Sequence, residues 1–235
     1  MLFISPISNK LLIYVSDVCA PHKDADIVFV VDASLSQGNH RSSLIKDFVL
    51  NFISNFSGFP IGPDHFQFAL VTFSFEENVM FHLDAYTDNV TLVAAVENMT
   101  ASLVCSGPSN VHTAFDAIRE TVFLQSNGAR DNVGRYVIVI SDGLFSQPIQ
   151  AETAARALRL ATGAKIYGIA TGDQVLQRGL VNVAHSPRHV FALTEAEPVE
   201  SVLRETTFDC KGKPLRKNNS LVKYLCFDLH VYQCY

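Results

Sequence analysis

Two short polar stretches each follow an unbroken apolar run in this 235-residue chain: Asp32-Ala33-Ser34-Leu35-Ser36 after Ile27–Val31, and Ser141-Asp142-Gly143 after Tyr136–Ile140. An aspartate followed by hydroxyls at alternate positions offers a set of hard oxygen donors, and a second aspartate at another strand end adds a carboxylate. Two charged, partly buried carboxylates cost several kcal/mol unless something positive sits with them, and neither motif contains Lys or Arg. Such donors suit Mg2+, with Mn2+ or Ca2+ as alternatives. Mg2+ keeps several of its waters. An ion held by few protein charges therefore stays electrophilic enough to exchange a water for a carboxylate of a partner molecule. The plainer alternative is that Asp32 or Ser34 caps the following helix, worth about 1 kcal/mol; Gly143 fits a simple tight turn under either reading.

Placing these residues together requires strand ends. Ile27–Val31 is followed by Leu44, Phe48, Phe52 and Phe56 at helical spacing, which predicts strand, loop and helix. Phe66–Phe73 predicts a second strand, with Asn78–Leu83 as its hairpin partner. Val90–Met99 places Val93, Val96 and Met99 on one helix face, and a further helix is expected from Thr113 to Leu124. Tyr136–Ile140, an alanine-rich helix over Ala151–Ala161, then Lys165–Ala170, Val175–Val183, His189–Leu193 and Ala196–Arg204 repeat the unit. Strands apolar throughout are buried on both faces. The alternation predicts an α/β fold: a doubly wound, mostly parallel six-stranded sheet of order 3-2-1-4-5-6, one antiparallel edge strand, and helices on both faces. Ligands of such sheets bind at the carboxyl ends of the strands, where that order makes Asp32 and Asp142 face each other.

Apolar residues make up 48% of the chain, including 17 Phe, enough for a sizeable core in one domain of roughly 180–200 residues plus tails. The 18 Lys and Arg against 23 Asp and Glu leave a net charge of −5, which argues against nucleic acid as a partner. No run of about 20 apolar residues offers a membrane span. Residues 1–24 read as an N-terminal extension or partial leader, in which Pro6 and Lys10 break up the apolar stretch around Leu11–Val15. Residues 25–208 read as the domain, and 209–235 as a Cys-containing tail. The five cysteines, Cys19, Cys105, Cys210, Cys226 and Cys234, form no C-x-x-C pair of the kind a zinc or redox site needs. A Cys19–Cys210 bridge would tie the two ends of the domain together, against the alternative of two unrelated buried thiols. A Cys226–Cys234 loop then leaves Cys105 odd and available to pair between chains in a homo-oligomer. Asn55, Asn89, Asn98 and Asn218 open sequons and are candidate glycan acceptors.

Asp26–Ser36, Phe68–Phe73, Leu83–Tyr86 and Val137–Gly143 together resemble a von Willebrand factor type A domain over about Ala25–Phe208. Within that family the chain is similar to extracellular matrix members of the matrilin and collagen-associated kind, whose flanking cysteines resemble Cys19 and Cys210. The resemblance implies a metal-ion-dependent adhesion site built from Asp32, Ser34 and Ser36 of the first loop and Asp142 of the third. It also implies a threonine ligand in the second loop, ahead of a helix that reads Ala-Leu or Ala-Ile. Here that segment is Asn110–Ile118, and counting back from Ala117-Ile118 puts His112 at the family spacing. Thr113, one residue on, is the hydroxyl candidate, and its alternative is a helix cap. Imidazole in that position would favour manganese or zinc over magnesium. The implied function is a secreted matrix-binding module whose divalent cation takes a Glu or Asp carboxylate of a protein ligand, collagen among the candidates.

Enzyme signatures are absent: there is no G-x-G-x-x-G after a strand, no Walker A loop and no G-x-S-x-G elbow. His185 and His189 have helical ligand spacing, but Pro187 between them breaks the helix that would aim both rings together. Two further readings stay open: a magnesium-dependent enzyme with Asp32 acting on a phosphate-bearing substrate, and an intracellular type A domain serving as an assembly scaffold.

Overall fold

Strand β1 (Ala25–Asp32) is buried along its whole length, as is β2 (Phe66–Phe73), and β4 (Gly134–Ser141) is buried from Tyr136 onward. Their β-branched and aromatic residues suit a pleated surface packed on both sides. With β3 (Glu77–Phe81), β5 (Lys165–Ala170) and β6 (Val190–Ala192), they form a six-stranded sheet in the order β3-β2-β1-β4-β5-β6. Strand β3 runs antiparallel to β2 at the edge, with a register shift at Leu70/Val71. The other pairings of this sheet are parallel. The order is the 3-2-1-4-5-6 that the alternating sequence pattern predicts.

The structure is a computed structural model that describes residues 20–21, 24–34, 38–56, 60–99, 107–171, 178–195 and 208–209. Pro21–Phe208 makes one compact unit; of the other, Met1–Ala20 with Asp209–Tyr235, only Ala20 and Asp209 are described. Ala20–Pro21 and Phe208–Asp209 pair as a separate two-stranded sheet. No helix among the described residues is long and apolar enough to cross a membrane.

Successive residues of a strand face opposite sides, and β1 uses both. Ile27, Phe29 and Val31 pack with Phe48 and Phe52 of α1 (Gly38–Asn55), with Phe56 beyond its end, and with Leu92 and Val96 of α2 (Asn89–Glu97). The Phe29 and Phe52 rings meet edge-on at 5.3 Å. Val28 and Val30 pack on the other face, with Phe115 of α3 (Val111–Ala117), Ala155 and Leu158 of α4 (Pro148–Thr162) and Leu180 of α5 (Arg178–Val183).

Three elements differ from the sequence expectation. Leu44 is 44% exposed and Ile45 takes the core position, because the stripe Ile45, Phe48, Val49, Phe52, Ile53 and Phe56 follows a 3.6-residue period more closely than a strict spacing of four. On α2, Leu92 and Val96 are buried, with Met99 buried just past its end, and Val93 is only partly buried against the core. The helix expected from Thr113 starts at Val111 and continues as π-helical winding over Ile118–Val122. The stretch Ala196–Arg204 lies outside the described residues, as do residues 175–177.

Parallel strands bring their carboxyl ends to one edge. Asp32 pairs with Phe73, Val31 with Ile140, and Ser141 with Ala170, so the polar stretches that follow β1 and β4 begin side by side.

Candidate functional site

Three loops meet at the carboxyl edge. The first leaves β1 at Asp32, the second runs into α3 through Gly107–Asn110, and the third leaves β4 at Ser141. Backbone bonds hold them in place: Ala33 N donates to Phe73 O at 2.8 Å, Asn110 N to Ser74 O at 2.9 Å, and Ser146 N to Ser109 O at 2.9 Å. Ser109 N donates in return to Ser146 Oγ at 3.0 Å.

Asp32 lies at the centre, buried, and accepts from all three loops. Ser34 N donates to Oδ1 at 2.9 Å, while Oδ2 accepts Ser141 Oγ at 2.6 Å and Ser109 Oγ at 3.1 Å. The Ser141 hydroxyl also accepts from Gly143 N at 3.0 Å, which locks the third loop to the first. Gly143 has φ +78°, the left-handed region in which glycine costs least. Gly179 of α5 packs against the same turn, where a Cβ would collide with the Gly143 carbonyl oxygen.

Burial pushes the Asp32 carboxyl above the ordinary value of 3.8; bonds from Ser141 and Ser34 pull it down, and the charge of Asp142 pushes it further up. The charge of Asp142 therefore reaches Asp32 across neighbouring strand ends. Asp142 is itself buried and accepts Leu144 N at 2.9 Å on Oδ1. Two carboxylates with hydroxyl oxygens around them form a hard-oxygen donor set, and among the described residues no three His, Cys, Asp or Glu converge into a richer cage. That chemistry fits Mg2+, Mn2+ or Ca2+ better than a soft metal.

The structure gathers Asp32, Ser34 and Asp142 as the spacing anticipates, and Ser36 lies outside the described residues. Thr113 is not among the residues gathered at Asp32. Its hydroxyl donates back to Asn110 O at 2.9 Å, a bond within the helix start and not a cap, and it lines a groove with Glu77, Val79, Asp116, Ala117, Glu120 and Thr121. His112 is half-buried in the first turn of α3, with Nδ1 buried and unbonded. The second-loop hydroxyl that reaches Asp32 belongs to Ser109. The signal for it was the buried pair Ala114-Phe115, the small and large apolar residues of the first helical turn. Counting back from that pair instead of Ala117-Ile118 lands on Ser109.

The remaining candidates lie elsewhere. The His185 and His189 rings meet edge-on at 5.3 Å despite Pro187, His189 Nδ1 bonds Ser186 Oγ at 2.7 Å, and the His189 ring packs on Tyr167 at 4.8 Å. Asn55 and Asn98 are exposed and Asn89 is half-buried, all at helix positions or ends. Cys19, Cys105, Cys210, Cys226, Cys234 and Asn218 lie outside the described residues.

A doubly wound α/β domain with an oxygen-lined cluster at the carboxyl ends of its central strands is the class these observations define. The family model for the von Willebrand factor type A domain matches residues 26–205, and the chain belongs to that family. It is 31% identical to the collagen alpha-4(VI) chain of Mus musculus over 88% of this chain and 8% of that one. It is 31% identical to matrilin-3 of Homo sapiens over 71% of this chain and 33% of that one. Among solved structures, proximal thread matrix protein 1 of the mussel byssus, with a zinc-occupied MIDAS motif, superposes with a TM-score of 0.67 at 28% identity, covering 78% of this chain and 46% of that one. The chain spans no more than a tenth of the first collagen relatives it matches.

Proposed function

We propose that this domain is a secreted adhesion module of the extracellular matrix that holds one divalent cation among its three loops and captures a carboxylate of a matrix protein. The observation that carries this reading is the buried Asp32, which draws in the hydroxyls of Ser109 and Ser141 from two other loops and has the charge of Asp142 beside it. Asp32, Ser34, Ser109 and Asp142 would hold the ion, with Ser36 joining from outside the described residues. Mg2+ is the first choice, and Mn2+ or Ca2+ suit the same donors. Bound there, the ion would supply a Lewis-acidic position for a Glu or Asp oxygen of the partner. Ser141, bonded to Asp32 and to Gly143 N at once, keeps the first and third loops in fixed relation.

Collagen is the first partner to try, because the matched relatives are collagen chains and a matrilin. The same relatives support binding rather than catalysis. Secretion, glycans at Asn55, Asn89, Asn98 and Asn218, a Cys19–Cys210 bridge and homo-oligomers through Cys105 belong to this proposal. The bridge is supported by the pairing of Ala20–Pro21 with Phe208–Asp209, which those cysteines adjoin in sequence.

Calorimetric titration with Mn2+ and thermal melting test the proposal. An ion that binds only the native state adds about 2.7 kcal/mol at a hundredfold excess over Kd, a rise of about 5–10 °C for a domain of this size. Asp32→Ala should abolish the binding heat and the rise while keeping its circular dichroism spectrum. Equal rises in both proteins would overturn the site.

A further inference from the structure

The cation accounts for one acidic side chain of a ligand, and two apolar groups at the same edge address that side chain's neighbours. Phe75 is 64% exposed and Leu144 48%. Exposed apolar residues are ordinary when scattered singly, as Val90, Ile149 and Leu160 are on the outer faces of α2 and α4. Phe75 and Leu144 differ in how they are held. Phe75 occupies the turn between β2 and β3, where Ser74 N donates to Glu76 O at 2.9 Å. Its carbonyl accepts Asn110 Nδ2 at 3.0 Å, one residue along from Ser109. The Leu144 amide donates to Asp142 Oδ1, and the next residue, Phe145, is buried with its ring 6.5 Å from that of Phe73. Each backbone is thus tied to the cation cluster or its neighbour while the side chain stays in water, which makes contact surface that needs little ordering on binding. Glu76 and Glu77, exposed beside Phe75, repel a second acid on that side.

We infer that the site selects a peptide in which a single Glu or Asp is flanked by apolar residues, with Phe75 and Leu144 as the specificity-determining contacts for the flanks. The inference rests on the cation-dependent adhesion reading, and the two can fail separately.

The probe is an immobilised library of short synthetic peptides, each with one central glutamate and randomised neighbours, exposed to the full chain in Mn2+ or in EDTA. The expected result is Mn2+-dependent capture enriched for apolar neighbours and depleted in further acids. Phe75→Ser and Leu144→Ser should each weaken capture of the enriched peptides about tenfold, with the calorimetric Mn2+ affinity of both variants unchanged. Mn2+-dependent capture that ignores the neighbours, or that both substitutions leave untouched, overturns this inference and spares the adhesion reading. Mn2+ binding with no Mn2+-dependent capture overturns both. A Mn2+-loaded dimer that Phe75→Ser dissociates in sedimentation, together with indifferent capture, assigns the patch to a second copy and also overturns the inference.

Discussion

At the amino end of β1, Asp26 is fully buried and gripped by Arg130, whose Nε and a terminal nitrogen donate to Oδ1 at 2.9 and 2.7 Å and whose backbone N donates to Oδ2 at 3.0 Å. The other guanidinium donors go to the carbonyls of Pro63 and Ala25. At the carboxyl end of the same strand, Asp32 is 1% exposed and meets hydroxyls, a backbone amide and the charge of a second carboxylate. Burial raises both carboxyl pKa values. Bonds and charge from Arg130 pull Asp26 back, whereas Asp142 pushes Asp32 further up. Burial alone does not settle what a buried carboxylate does. Asp26 is closed by a cation from within the chain and serves the fold. Asp32 sits among hydroxyls and beside Asp142, and the proposed function supplies its cation from outside.

The two ends of β1 should differ most in stability measured in EDTA. Arg130→Met leaves Asp26 buried without its guanidinium, and removing one partner of a buried pair costs about 3–5 kcal/mol. Asp32→Asn removes a carboxylate whose charge is disfavoured by burial and by Asp142 beside it, so its stability should equal or exceed that of wild type. Urea unfolding of the three proteins gives both numbers. Similar losses for the two variants would mean that Asp32 is a structural carboxylate of the same kind as Asp26.

A smaller effect is expected from the titration of Asp32. The folded pKa of Asp32 stands above the ordinary 3.8, so between those values the native chain holds a proton that the unfolded chain has released. The contribution of Asp32 to stability is therefore fully present below 3.8 and is lost as pH rises through the folded value. In EDTA, wild type should lose stability relative to Asp32→Asn over that interval, by about 1.4 kcal/mol for each unit separating folded and unfolded pKa. Asp26 shifts in the same direction in both proteins and cancels in the difference. Mn2+ reverses the trend for wild type alone, since protons compete with the ion for the carboxylate. A wild-type-minus-variant difference that stays flat across pH in EDTA would remove the account of Asp32 as a carboxyl raised by burial and by the charge of Asp142.

How much of this was legible in the sequence follows from where the information is local. Ile27–Val31 and Tyr136–Ile140 read as doubly buried strands because every residue is apolar, and the alternation with helical stripes yields the sheet order with both aspartates at one edge. Asp32 and Asp142 were legible for the same reason. The Asp26–Arg130 pair was not, because its partners lie 104 positions apart and nothing local joins them. Nor did the short groups Phe75 and Leu144 stand out, since exposure is a property of the folded edge. Helix register was the weak point. Leu44 and Ile45 exchange roles within one turn, and counting back from Ala117-Ile118 displaced the proposed second-loop ligand from Ser109, whose hydroxyl bonds Asp32, to Thr113.

That displacement gives the finest test of what separates the two ends of β1, because it asks which hydroxyl belongs to the open end. Ser109 precedes Asn110, the cap residue of α3, so its side chain is free of the helix and reaches Asp32. Thr113 sits within the first turn and spends its hydroxyl on Asn110 O. Ser109→Ala should weaken calorimetric Mn2+ affinity about tenfold, or about 1.4 kcal/mol, with little change in EDTA stability. Thr113→Ala should leave Mn2+ affinity unchanged and lower stability by about 0.5–1 kcal/mol, the scale of one side-chain hydrogen bond. The reverse pattern would return the second-loop position to Thr113 and require the loop to rearrange when the ion binds.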